Sequence, residues 1–227
     1  MGLNQSEKIS YLQIINGKIA TKTTAGTSGA VEITNKTGDK RHYLMYKSIS
    51  GLIHKISYKP PPDTHSEWGW QWNITLKDNA DFYNLNMSFG SGYANSFFCI
   101  LENVNLEKEV EIIPIQRTEI YEGKEKEKRS LFIKQGEEVL KWFYRKDLNA
   151  DLPEIEVTKT KSGKVIYDDT ERNEFFKKIA NKINEKLFEI HGRSEIKNAT
   201  ENKQVLYEVS QDDTVQEVAT NKDDLPF

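Results

Sequence analysis

Two neighbouring segments of alternating residues constrain the fold of this chain more than any other feature. Residues 67–78 read EWGWQWNITLKD and residues 81–89 read DFYNLNMSF. Alternation with a period of two is typical of strands, and the short polar step Asp78-Asn79 is typical of a turn. The sequence therefore predicts a β-hairpin. Three tryptophans share one face of its first strand: Trp68, Trp70 and Trp72.

Further strand patterns and a short helical pattern surround this hairpin. Strands are predicted at 11–20 with a turn or bulge at Asn16-Gly17, at 43–59 with a bend at Gly51, at 109–116, and at 130–144 as a hairpin turning near Gln135-Gly136. Helical spacing over 93–104, with Ser91 as a cap, predicts one short helix. A helix between the third and fourth strands is the order of an OB-type (oligonucleotide- or oligosaccharide-binding) barrel. The predicted fold class is therefore mainly β, with an OB-like small β-barrel.

Composition divides the chain into three parts. They are the OB-like barrel at 1–150, an extension with an amphipathic helix at 151–193, and a disordered acidic tail at 194–227. The helix spans about 169–191, with capping-box spacing at Asp168 and Glu171 and with Gly192 at its end. Its apolar stripe packs on the barrel or forms a dimer contact, so the sequence leaves open whether the chain forms a homo-oligomer.

Charge is distributed unevenly along the chain. The formal net charge is -3, but residues 196–227 carry seven carboxylates against three lysines, which leaves the preceding part slightly basic. Residues 40–59 hold five Lys or Arg side chains and three tyrosines without a carboxylate. The basic segment predicts an anionic partner, and the acidic, apolar-tipped tail predicts a basic one.

The basic and aromatic residues are candidates for binding single-stranded nucleic acid. Small barrels bind such strands with cations along the phosphates and with aromatic rings that stack on unpaired bases. The candidate contacts are Arg41, Tyr43, Tyr46, Lys47, Lys55, Tyr58, Lys59, Trp68, Trp70 and Lys77. Each tyrosine is equally consistent with an ordinary half-exposed sheet surface.

The tryptophan strand has two interpretations. Its apolar face continues through Ile74, which favours a core position for Trp72, whereas Trp68 leans towards base stacking and Trp70 fits either role. A polar row faces the other way and suits contacts to phosphate or base: Gln71, Asn73, Thr75 and Lys77.

Signatures of enzymes are weak in this sequence. The four histidines lack metal-ligand spacing, and the single Cys99 lies in an apolar run as a buried, inert thiol. The glycine step before the short helix is better explained as helix entry than as a phosphate loop. We therefore expect a non-enzymatic protein without cofactor or metal, and a metal-dependent nuclease built from carboxylates is a minor alternative. No apolar run has the length of a membrane span, and the N-terminus does not resemble a signal peptide, so a cytoplasmic location is expected.

The last five residues, DDLPF, resemble the acidic tip of bacterial-type single-stranded DNA-binding proteins. These proteins typically end in Asp-Asp-Ile-Pro-Phe, and Leu225 replaces the usual isoleucine. Residues 40–116 are also similar in pattern to OB-fold proteins of tailed bacteriophages that bind single-stranded DNA. The body is longer than in the bacterial type and the linker is short, so the usual homotetramer is not implied.

The resemblance implies a phage-encoded protein in the cytoplasm of a bacterial host. It would coat single-stranded DNA in replication or recombination without strong sequence preference. Its tip would recruit replication and recombination proteins through Asp223, Asp224, Leu225, Pro226 and Phe227, with Phe227 as the anchor in an apolar pocket. The alternative is a protein-interaction or virion-assembly module, in which the aromatic residues form an ordinary core and the basic strand is a solvated face.

Overall fold

A computed structural model describes residues 9–34, 38–61, 69–121, 123–145, 152–160 and 165–191. These residues form a mainly β structure with twelve strands and two α-helices. The sheet lies within the first of two compact units, which spans Met1–Ile190. The predicted acidic tail and the predicted helix end at Gly192 lie outside the described residues.

The elements follow one another in a regular order. The strands are β1 (Ile9–Ile15), β2 (Lys18–Thr23), β3 (Val31–Thr34), β4 (Lys40–Tyr46), β5 (Ile49–Lys59), β6 (Gln71–Asp78), β7 (Asp81–Ser88), β8 (Val110–Tyr121), β9 (Lys124–Gln135), β10 (Glu138–Val139), β11 (Glu156–Lys159) and β12 (Val165–Asp168). Helix α1 (Gly92–Leu101) lies between β7 and β8, and helix α2 (Thr170–His191) follows β12.

Ten strands form one sheet in the order β10-β9-β8-β5-β6-β7-β1-β2-β4-β3. Neighbouring strands are antiparallel except for β1 and β7, which pair in parallel. Strands β11 and β12 form a separate two-stranded sheet. The parallel pairing places the N-terminal strand in the middle of the sheet, between two antiparallel groups.

The predicted β6–β7 hairpin is confirmed, with full register from Gln71↔Ser88 to Asp78↔Asp81. Its turn lies at Asn79-Ala80, one residue later than predicted, and Asn79 takes a positive φ of 53°. Asparagine tolerates this left-handed conformation better than most residues, so the sequence favours the turn at that position.

Two other strand predictions need correction. The predicted strand 11–20 is a hairpin of β1 and β2. The turn predicted at Asn16-Gly17 is confirmed, because both residues have positive φ and close a two-residue turn. The predicted strand 43–59 is two strands, β4 and β5, which end and begin around residues 47–48. They pair with different neighbours, β4 with β2 and β3, and β5 with β6 and β8.

Gly51, where a bend is predicted, allows a close approach to the neighbouring strand. A Cβ atom at this position would lie 2.8 Å from the carbonyl oxygen of Lys77 in β6. Because real Cβ atoms do not approach backbone so closely, glycine allows β5 to lie between β6 and β8 here. The irregularity in β5 comes later, as a register shift between Ile53 and Lys55.

Strand β9 begins earlier than the predicted hairpin at 130–144, with the charged residues 124–129. It forms a long hairpin with β8, in register from Glu111↔Lys134 to Tyr121↔Lys124. The predicted turn near Gln135-Gly136 is confirmed, since Gly136 has φ of 59° and β10 pairs back on β9.

The core lies on one face of the sheet and is covered by both helices. Trp72, Ile74 and Leu76 of β6 are fully buried there, together with most of α1. The Ser91 hydroxyl accepts a hydrogen bond from the backbone N–H of Ala94 at 3.1 Å, which confirms the predicted cap. The predicted core position of Trp72 is confirmed.

Helix α2 packs on the sheet. Of the two predicted alternatives, packing within the chain and a dimer contact, the structure shows the first. Its buried stripe consists of Phe176, Ile179, Ala180, Ile183 and Leu187, and the Phe176 ring stacks on Phe98 of α1 at 4.8 Å. The helix start differs from the predicted capping box, because the Asp168 carboxylate accepts from the backbone N–H of Thr170 at 3.0 Å. Hydrogen bonds from the Thr170 side chain and, second, from its backbone N–H lower the pKa of Asp168.

Helix α2 also covers an open edge of the sheet. Among the described residues, strand β5 pairs with β8 at Ile49, Ser50 and Gly51, and no described strand continues this pairing along the edge of β5. There the Asn184 side chain makes the hydrogen bonds that a neighbouring strand would otherwise make. Its Oδ1 accepts from the N–H of Ile56 at 2.9 Å, and its Nδ2 donates to the carbonyl of Ile56 at 2.7 Å.

Candidate nucleic-acid interface

The face of the sheet opposite the core is polar from Lys55 to Lys59 of β5 and at the paired positions of β6 and β7, whereas Lys77 is paired with the apolar Leu52 and Phe82. Directly paired residues share a face, and the pairs on this face include Lys55↔Thr75, Ser57↔Asn73 and Lys59↔Gln71. On β7 the partners are Asn86 and Ser88, and Asn84 is paired with Thr75. We call these residues, together with Lys77, the outer polar face.

The outer polar face carries positive charge only. Lys55 and Lys59 are exposed and Lys77 is half-buried, with its ammonium 5.4 Å from the centre of the Phe82 ring. At the outward positions within the described stretches 55–59, 71–77 and 82–88 there is no carboxylate. This face therefore attracts anions.

Three asparagine acceptors on this face have no donor among the residues that the structure describes. The Oδ1 atoms of Asn73, Asn84 and Asn86 are buried without a hydrogen-bond partner, although Asn86 Nδ2 donates to the carbonyl of Leu12 at 3.3 Å. Asn73 is only 5% exposed. Leaving a buried polar atom unpaired costs about 1–3 kcal/mol, so these oxygens favour donors from solvent or from a ligand.

At the end of the same strands, three aromatic rings form an exposed cluster on the core side. We call Tyr58, Trp70 and Phe89 the aromatic cluster. Its ring centres lie about 6 Å apart, at 5.9 Å for Trp70 and Phe89 and 6.1 Å for Tyr58 with each of the others. Trp70 is 43% exposed and Tyr58 39%.

The aromatic cluster rests on the core. The Phe89 ring stacks on the buried Trp72 ring at 4.4 Å with an interplanar angle of 18°. Trp72 contacts Phe98 at 4.4 Å. The backbone N–H of Phe89 donates to the carbonyl of Trp70 at 3.1 Å, which extends the β6–β7 ladder to the cluster. The exposed rings are therefore held on a rigid support.

A cation from α2 lies over the aromatic cluster. Lys177 Nζ is 5.2 Å from the ring centres of Tyr58 and Trp70 and 5.7 Å from that of Phe89. The same ammonium pairs with the Glu174 carboxylate at 2.5 Å. A cation within about 6 Å of a ring face is attracted by the ring electrons.

The structure separates the predicted contacts onto two faces. Lys55 and Lys59 belong to the outer polar face, whereas Tyr58 and Trp70 belong to the aromatic cluster on the other side of the sheet. The two groups meet only at the strand ends, where Lys59 follows Tyr58 directly. The basic-aromatic segment 40–59 is thus divided between two strands, and within β5 its lysines and Tyr58 lie on opposite faces.

Residues of β4 are placed elsewhere. Tyr43 is only 6% exposed, so its ring is not accessible for stacking in this structure. Tyr46 is exposed but lines a different cleft of about 370 Å³, together with Ser48 and Tyr83. Arg41 and Lys47 are exposed and away from the outer polar face. Trp68 and the tip residues Asp223, Asp224, Leu225, Pro226 and Phe227 lie outside the described residues.

Sequence reasoning missed Phe89, Lys177, Asn84 and Asn86. The sequence could have indicated the two asparagines. In NLNMS they alternate with buried apolar residues, which is the same pattern as that of the polar row of β6. Lys177 has no local signal, because its position over the rings depends on the packing of a distant helix.

Burial raises the pKa values of Cys99 and Tyr83. Burial raises the pKa of the Cys99 thiol to about 11, against a smaller opposite effect of Arg172. The thiol is therefore neutral at physiological pH, as expected for an inert cysteine. Burial also raises the pKa of Tyr83, with further contributions from Asp81 and Asp78.

Within the described ranges, no three His, Cys, Asp or Glu side chains come together in an arrangement that could hold a metal ion. None of the helices in the part of the chain that the structure covers is long and apolar enough to span a membrane. No protein-family model matches the sequence, and no curated protein or solved structure is similar to it.

Proposed function

We propose that this protein binds single-stranded DNA without strong sequence preference and coats it during replication or recombination. One observation carries the proposal: a lysine and amide surface without carboxylates meets an exposed, rigidly supported aromatic cluster at one end of the sheet. Cations for phosphates and ring faces for unpaired bases are the two components that such binding requires.

The topology supports an OB-like barrel for this site. Strands β5 to β9 follow the order of that fold, with α1 between the third and fourth of them and with β5 paired to β8. The β1–β2 turn also approaches β8, since a Cβ at Gly17 would lie 2.7 Å from the backbone nitrogen of Gln116. This contact joins two parts of the sheet that four strands separate in the strand order, and it favours closure.

In the proposed mode of binding, the two surfaces have different roles. Lys55, Lys59 and Lys77 neutralise phosphates along the outer polar face, and the bound counterions are released into solution. At the strand ends the DNA passes to the aromatic cluster, where a base stacks on Trp70. Stacking contributes about 1–3 kcal/mol per base and does not depend on base identity. No cofactor is needed.

The C-terminal tip is the proposed docking site for replication and recombination proteins. The support for this role is the DDLPF ending in the sequence. Phe227 would fill an apolar pocket on the partner, and Asp223 and Asp224 would raise the association rate with a basic rim.

The test is a titration of a fluorescently labelled oligo(dT) at several salt concentrations, followed by anisotropy. We expect the logarithm of the binding constant to fall linearly with the logarithm of the salt concentration. The variant W70A should bind about fivefold to 150-fold more weakly, which corresponds to the stacking energy of one base. W142A is the matched control, because Trp142 is exposed to a similar degree, 38%, and lies outside the aromatic cluster.

Two results would refute the proposal. One is binding that does not depend on salt, and the other is a preference for duplex DNA of the same length. Equal affinities of W70A and W142A would leave DNA binding in place but would exclude the aromatic cluster as the stacking site.

A further inference from the structure

We infer that α2 is part of the DNA site and that Lys177 is a phosphate ligand stored over the aromatic cluster in the free protein. The inference rests on the proposed function and adds a residue and an element to it. When a base stacks on Trp70, the Lys177 ammonium leaves the rings and the Glu174 carboxylate and pairs with the phosphate of that nucleotide.

The first argument is the position of the ammonium. It lies 5.2 Å from the Trp70 ring centre and 5.2 Å from that of Tyr58, in the space that a stacked base would occupy. A base and the ammonium cannot both lie there, because aromatic stacking places ring centres about 4.5–7 Å apart. Binding a base at Trp70 therefore requires this side chain to move.

The second argument is the space beside the cluster. A pocket of about 460 Å³ opens between the end of the β6–β7 hairpin and the first turns of α2. Its lining includes the rings of Trp70 and Phe89, the ammonium of Lys177, and the carboxylates of Asp169 and Glu174. The volume lies within the range of about 300–1,000 Å³ that is usual for small-ligand sites. One nucleotide fits such a space, with an aromatic wall for its base and an ammonium for its phosphate.

The third argument is that the side chain can move while the helix stays in place. On one side of Lys177, Arg172 donates to the carbonyl of Pro153 at 2.7 Å and to Oδ1 of Asn95 at 3.2 Å. On the other side, Asn184 holds both backbone groups of Ile56. The helix backbone is thus fixed at two points, and the four-carbon stem of lysine supplies the necessary reach.

Electrostatics favours the exchange. In the free protein the ammonium is shared between the ring faces and the Glu174 carboxylate, which is exposed and therefore a weak partner. A phosphate is a stronger acceptor than a ring face, and its neighbours on the DNA backbone add further negative charge. Glu174 thus competes with DNA for Lys177.

The experiment compares neighbouring lysines on the same helix in the full-length protein. K177M keeps the length and apolar stem of the side chain and removes its charge. K178M removes the same charge from an exposed position. With oligo(dT), K177M should bind several-fold more weakly than wild type and should reduce the slope of the salt dependence by about 0.7, the value for one phosphate contact to a single strand. K178M should keep the wild-type slope.

A second pair of variants tests the competition. E174Q should bind oligo(dT) several-fold more tightly than wild type, because Lys177 loses its carboxylate partner. E171Q, at an exposed position one turn earlier, removes the same charge and should change affinity less.

Two outcomes would overturn the inference while the proposed function stands. In the first, wild type binds oligo(dT), but K177M and K178M have the same slope. In the second, K177M binds more tightly with an unchanged slope, so that Lys177 only blocks the rings. Absence of binding by the wild-type protein would instead refute the proposed function itself.

Discussion

Replacing Asn184 with alanine should loosen the attachment of α2 to the edge of β5 and lower the stability of the first unit. Two hydrogen bonds are lost, at 2.9 Å and 2.7 Å, and each contributes about 0.5–1.5 kcal/mol. Ile56 then keeps a partly buried N–H and carbonyl without their partner, which places the loss in the upper part of that range. Alanine is the better helix former by about 0.6 kcal/mol, which offsets part of it. The net loss is about 2 kcal/mol.

Urea unfolding followed by tryptophan fluorescence measures this loss. With a slope of about 2 kcal/mol per molar urea, the midpoint should fall by roughly 1 M. N181A is the matched control, because Asn181 is exposed on the same helix and its replacement changes helix propensity equally. Equal midpoints for N184A and N181A would show that the contacts of Asn184 do not hold the helix.

Three further predictions concern the outer face, the thiol and the tail. K55M/K59M should reduce the slope of the salt dependence by about 1.4, two phosphate contacts, and K108M/K178M, with two exposed lysines elsewhere, should not. Since the folded-state pKa of Cys99 is raised from 9.0 to about 11, the stability from its neutral form is fully present below pH 9 and is lost as the pH rises towards 11, measurable by urea unfolding at each pH. Removal of residues 225–227 should abolish capture of replication proteins while oligo(dT) affinity stays unchanged or rises; loss of DNA binding would contradict separate roles for the tail and the sheet.

Local sequence patterns were sufficient to predict the structure of segments whose contacts are with their neighbours in sequence. The β6–β7 hairpin, the cap at Ser91, the buried Trp72 and the apolar stripe of α2 all depend on alternation, a turn or helical spacing within one segment. The mainly β class follows from the same signals. These features are set by local backbone preferences and by which face of an element is apolar.

Features that depend on distant partners were not predictable in this way. The segment 40–59 reads as one basic-aromatic strand, yet β4 and β5 have different neighbours in the sheet, and this choice buries Tyr43 and exposes Tyr58. Within β5, side chains alternate between the two faces, so Lys55 and Lys59 lie on the face opposite to that of Tyr58. The composition of the segment does not show this separation. Lys177 reaches the rings only because α2 packs beside the end of β6.

The parallel pairing of β1 with β7 has a consequence for the order in which the chain folds. Ile9 pairs with Phe82 and Gln13 with Asn86, so the first strand cannot find its place until β7 has been synthesised. Contacts between such distant residues form late, because the long intervening loop must close first. The β6–β7 hairpin can form from neighbouring residues alone. During synthesis, β1 to β4 can pair only among themselves until β7 emerges, and the exposed edge of β7 is the point at which another nascent chain could insert its own first strand.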